Sequence, residues 1–174
     1  MKRLILEFLG SFLYLLFGCI IELFVIHYLS ISIFPLKVFI IALGFATSFG
    51  IIYSLCNLFY DVDINPLFTF TSWLKNDISF YKMISTIFIQ ILGAVEAGLV
   101  ILLFLPNLLD SLVIGVGNHL LFSSSFNTII LVEFIASFVF TFSYFVIKKK
   151  IQSKKMWGLL LGILLFLLLF ISIS

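Results

Sequence analysis

The chain has 174 residues, of which 63% are hydrophobic and 10% charged, and its formal net charge is +2. With a mean hydropathy of +1.32, this composition excludes a soluble globular domain and defines an integral membrane protein in contact with the lipid bilayer. The length allows one compact domain over residues 1–174 and no separate soluble one, and neither a nucleic-acid partner nor a cofactor is expected.

The first predicted span runs from Leu4 to Tyr28. Lys2 and Arg3 before an apolar run have the look of a signal peptide, but the run is too long and lacks a small-residue cleavage site, so a retained helix is expected. Glu7 lies just inside this span. A carboxylate there is costly unless it faces the bundle and finds donors, or reaches the headgroups. Glu22 and His27, near the far end, are expected at the interface. Cys19 and Cys56 sit in apolar segments without metal or redox spacing and read as small apolar fillers. Ser30–Lys37, with Pro35, reads as a short connection. Val38–Leu58 is a second span without charge, whose Gly44, Ala46, Ser48 and Gly50 permit close helix contact.

The stretch Asp61–Trp73 breaks the pattern. Asn65-Pro66 is a good helix start, because Asn can cap and Pro fits the first helical position. The apolar run that follows, Leu67–Leu74, is too short to cross a bilayer, which takes about 20 residues. Two readings stand: a re-entrant half-helix at membrane depth, tolerated only where it lines a cavity or is buried, or an amphipathic turn at the interface.

Lys75, Asp77 and Lys82 form a polar turn before the third full span, Met83–Phe104. That span carries Gln90, Gly93, Ala94 and Glu96; Glu96 faces a pore, pairs with another polar group, or is protonated. Pro106–Asn127 is the longest break, and its lone His119 has no partner at ligand spacing, so no metal site is expected. Ile129–Ile147 is the fourth span, with Glu133 near its start. Five lysines between Lys148 and Lys155 follow, a pattern that signals topology and in some proteins binds anionic lipid. Met156–Ile173 is the last span. If the half-helix re-enters from the side of a cytoplasmic N-terminus, nine of the ten basic residues are cytoplasmic, as the positive-inside rule requires.

Glu-Phe-Leu-Gly-Ser-Phe at Glu7–Phe12 recurs as Glu-Phe-Ile-Ala-Ser-Phe at Glu133–Phe138, with four of six positions identical. The charge pattern runs the copies in opposite directions. This predicts an inverted repeat, about residues 4–104 and 128–174, with the site where the halves meet.

These residues give the chain a resemblance to the major intrinsic protein family, the aquaporins and glycerol facilitators. Leu6-Glu7-Phe8-Leu9-Gly10 resembles the family's opening Ala-Glu-Phe-hydrophobic-Gly. Asp63-Ile64-Asn65-Pro66-Leu67 with Thr69 resembles the first pore motif, His-Ile-Asn-Pro-Ala-Val-Thr. Gln90 with Gly93-Ala94, Glu133-Phe134, and Gly158 through Gly162 are similar to the third, fourth and fifth helices. The resemblance implies an all-α, right-handed membrane bundle of five spans plus one half-helix, no enzymatic activity, and a narrow pore for water or small neutral solutes; a homotetramer would fit it. Asn65 would donate to the solute, and Pro66 and Leu67 beside it at the half-helix tip would line the pore. Phe45 and, more loosely placed, Leu169 would line the constriction. Glu7, Glu133 and Gln90 would support loop backbone.

The sequence also departs from the family pattern. Leu67 stands for Ala, and Asn57, Asp61 and Asp63 stand for Gly, Gly and His; the two carboxylates would draw cations or cap the half-helix. The second Asn-Pro loop, its filter Arg and a sixth helix have no counterpart in the sequence, so a C-terminal truncation of about 50 residues is expected from the repeat. The function expected is a channel incomplete as written. The alternative is a membrane protein without transport, a degenerate fragment or a packing subunit.

Overall fold

A computed structural model of the chain describes residues 1–29, 33–105 and 126–173. Helices account for nearly all of these: α1 Lys2–His27, α2 Phe34–Phe59, α3 Pro66–Leu74, α4 Phe80–Phe104, α5 Phe126–Lys150 and α6 Lys154–Ile173. By length and composition α1, α2, α4 and residues 130–150 of α5 can each cross a membrane, and α6 is a shorter apolar helix over Met156–Ile171. The break expected over Pro106–Asn127 lies, up to residue 125, outside the described residues.

The helix starts follow from local chemistry. Helix α2 begins at Phe34, earlier than expected, because Pro35 occupies the first turn, where its missing N–H goes unneeded. Ser79 caps α4 by accepting from the Lys82 N–H. The basic run extends α5 by a turn to Lys150, where lysines favour the negative end of the helix dipole.

Packing depends on small residues that bring backbones together, since lipid supplies no hydrophobic drive between helices. A Cβ at Gly93 of α4 would lie 2.5 Å from the Phe8 carbonyl oxygen of α1. Between α2 and α6, a Cβ at Gly158 would lie 2.2 Å from the Gly50 carbonyl oxygen. No larger side chain fits either crossing. The core is aromatic: Phe49 and Tyr53 of α2, Phe68 of α3, Phe140 and Tyr144 of α5 and Trp157 of α6 form one buried cluster. Phe68 and Tyr144 stack with centroids 3.8 Å apart, which fastens the short helix to α5.

Arg3 at the start of α1 and Tyr144 near the end of α5 both reach Asp63. The two copies of the repeated hexapeptide therefore lie on helices of opposite direction. Glu22 is buried on α1, while His27 is exposed.

Candidate functional site

Helix α2 ends at Phe59, and the chain runs without helix to Asn65 before α3 begins. At nine residues and 1.5 Å per residue, α3 is about 13 Å long, under half the thickness of a bilayer core of about 30 Å. Asn65 adopts an extended conformation and its Oδ1 accepts from the Leu67 N–H at 2.8 Å. That bond uses the carbonyl side of the amide, leaving the Nδ2 side to donate. Asn65 is half-buried, while Pro66 and Leu67 at the helix tip are exposed.

The loop leading to Asn65 is buried, so its N–H groups need acceptors where water is scarce. Glu7, with 0% exposure, supplies two: its carboxylate accepts from the Asp63 N–H at 3.0 Å and the Ile64 N–H at 2.8 Å. The Gln90 side-chain amide of α4 donates to the same carboxylate at 2.8 Å and to Thr69 Oγ1 at 3.0 Å. Asn57 does the equivalent work from α2, donating to the Val62 carbonyl and accepting from the Val62 N–H. These bonds hold Ile64 at φ 44°, a left-handed conformation unfavourable for a β-branched residue.

Asp63 is the second centre. Its side chain accepts from Thr69 Oγ1 at 3.1 Å, from Arg3 at 3.3 Å and from the Tyr144 hydroxyl at 2.5 Å. Lys148, one turn beyond Tyr144, donates to that hydroxyl at 3.1 Å and to Asp61 at 2.8 Å. Arg3 also lies 3.3 Å from Glu7. A buried carboxylate pair is thus matched by one guanidinium, three neutral donors and two backbone N–H groups. A cleft of about 480 Å³ opens beside Asp63, with Arg3, Lys82 and Lys148 facing Asp61, Asp63 and Asp77. Both aspartates that stand for Gly and His are paired, and neither caps α3; Asn65 does.

The other expected site residues are more dispersed. Phe45 is half-buried, packed over Gly18 and edge-on to Tyr14, and Leu169 is half-buried on α6. Glu133 is exposed on the first third of α5, and Glu96 is exposed on α4. Arg3, Asn57 and Tyr144 join the site without having been singled out for it. The one-turn spacing of Tyr144 and Lys148 is the signal that could have marked that face of α5.

A short helix held by buried carboxylates between oppositely directed apolar spans is the kind of arrangement that membrane transporters and channels use. A family model described as major intrinsic protein matches residues 1–174, and the chain belongs to that family, whose members are channels for water or small solutes. No curated protein and no solved structure gives a match.

Proposed function

We propose that the chain is a passive channel component for water or another small neutral solute such as glycerol, with the Asn65 amide as the donor that meets the solute. The observation that carries this is the state of Asn65: its oxygen is engaged by the cap, its Nδ2 faces away from that bond, and α3 directs its positive end to the same place. Phe45 and Leu169 line the narrow stretch, and Glu7 and Gln90 keep the loop from collapsing. The N-terminus is cytoplasmic, which places Arg3, Lys75, Lys82 and Lys148–Lys150 inside.

Residues 1–174 contain one Asn-Pro pair, hence one such donor. Single-file exclusion of ions needs both walls of a pathway, and one such donor supplies only one of them. Liposomes carrying residues 1–174 should therefore shrink in stopped-flow light scattering no faster than empty vesicles. Water permeability well above that background and lost in Asn65→Ala would show that one half-helix suffices. A second reading, a packing subunit without transport, draws on the exposed apolar tip at Pro66 and Leu67. Thiol labelling separates the two. In a Cys19→Ala/Cys56→Ala background, Asn65→Cys reacts with a membrane-impermeant reagent if water reaches the tip, and stays unreactive if the tip is a dry contact.

A further inference from the structure

Beside α3, on the same end as Arg3, a cleft of about 420 Å³ lies between the end of α3 and the last turn of α5, lined by Ser72, Lys75, Asp77, Tyr144, Phe145, Lys148 and Lys149, among others. Its cations are not equally engaged. Lys148 is held by Asp61 and Tyr144. Lys75 lies 4.4 Å from the Phe145 ring centroid and 3.7 Å from Asp77, with both of those side chains more than half exposed; an ion pair of that kind contributes little and exchanges readily. Lys149 is exposed and pairs with no carboxylate among the described residues.

A continuous apolar stripe leads into this cleft. Leu131, Ile135, Phe138, Phe142 and Phe145 recur at alternating intervals of four and three, the spacing of one helix face, and the next step is Lys149. The stripe is open: Phe138 is 62% and Phe142 61% exposed, and their rings stack with centroids 6.2 Å apart. Cationic groups at the end of an uncovered apolar track complement a ligand with an anionic head and a long apolar chain.

We propose that the chain binds one anionic phospholipid here, its phosphate between Lys75 and Lys149 and an acyl chain along Phe142 and Phe138 of α5. The site is independent of conduction. The Lys75 ammonium, which lies over the Phe145 ring and near Asp77, turns from them to the phosphate. Ser72 does not compete, because its hydroxyl donates to the Phe68 carbonyl.

Native mass spectrometry of the full chain in detergent, titrated with dioleoylphosphatidylglycerol or dioleoylphosphatidylcholine, tests this. One phosphatidylglycerol should be retained over phosphatidylcholine. Each lysine near an anionic head contributes about fivefold in affinity, so Lys75→Gln/Lys149→Gln should lose about 25-fold. Lys150→Gln/Lys154→Gln, which removes equal charge outside the cleft, should lose far less. If the double variant does not fold, judged by helical circular dichroism, Lys149→Gln alone should lose about fivefold. Phe138→Ala/Phe142→Ala should weaken the lipid, and glycerol phosphate without chains should not compete. Equal binding of both lipids, equal loss in the two lysine pairs, competition by glycerol phosphate, or a dimer that covers α5 and excludes lipid would each overturn the proposal.

Discussion

At the scale of single residues the site is an exercise in satisfying a few buried groups, and the costs of failure are uneven. Glu7→Gln keeps the shape but offers one acceptor oxygen for two backbone N–H groups and removes the charge opposite Arg3. A buried donor left unpaired costs about 1–3 kcal/mol, so Glu7→Gln should lower the melting temperature in detergent, and Glu7→Ala should lower it further. Tyr144→Phe preserves the ring stack on Phe68 but deletes the hydroxyl between Asp63 and Lys148, a charge-assisted bond worth about 1.5–3 kcal/mol. Its thermal unfolding should fall between those of the wild type and Tyr144→Leu, which loses the stack as well. A Tyr144→Phe variant as stable as the wild type would mean that Arg3 and Thr69 alone satisfy Asp63. These partnerships were the least legible part of the sequence. Glu7 declared itself as a charge where charge is expensive, whereas Tyr144 passed as one more aromatic in an aromatic-rich helix. Asp63 and Asn57 read only as departures from a pattern, and nothing in that pattern pointed to their partners, Arg3 and Tyr144 for the one and the Val62 backbone for the other.

Among the elements, α3 was the easiest to foresee and depends most on its neighbours. Asn65-Pro66 announces a helix start from two adjacent residues, and the length of the following run excludes a span; both needed only local information. What local information could not decide was whether the half-helix goes inward, because that depends on Glu7, Gln90 and Tyr144 from three other helices. Asn65→Ala removes the cap and should cost about 1 kcal/mol, whereas Asn65→Asp keeps the acceptor and should cost less; chemical denaturation followed by circular dichroism compares them. The α2–α6 crossing is less forgiving. Gly158→Leu places a side chain where the Gly50 carbonyl oxygen now lies, so the helices must separate, and the variant should be recovered poorly from membranes with faster proteolysis of α6. Glycine spacing made close packing of α2 legible, but nothing in the sequence said that α6 would be its partner.

For the molecule as a whole, charge distribution and the repeated hexapeptide carried the topology. Arg3, Lys75, Lys82 and Lys148 all line clefts at one end, which is how a chain with a single preferred orientation should look. Green fluorescent protein fused to the N-terminus should fluoresce, and alkaline phosphatase fused there should be inactive. The reverse result would place the basic end outside. The repeat was informative about direction and less so about roles: Glu7 is buried against a loop, while Glu133, at the matching position, is exposed.

The wide separation of the groups that fix the loop bears on biogenesis. Glu7 precedes Gln90 by 83 residues and Asp63 precedes Tyr144 by 81. At ribosomal rates of about 5–20 residues per second, each gap lasts roughly 4 to 17 s. Until residue 63 is made, Glu7 has only Arg3 beside it, and until Gln90 and Tyr144 follow, the segment before Asn65 lacks its full set of acceptors and donors. The half-helix is therefore expected to settle at depth only after α4 and finally α5 have been inserted. Nascent chains arrested before residue 90 should leave positions 60–65 open to thiol reagents, and chains extended past α5 should close them.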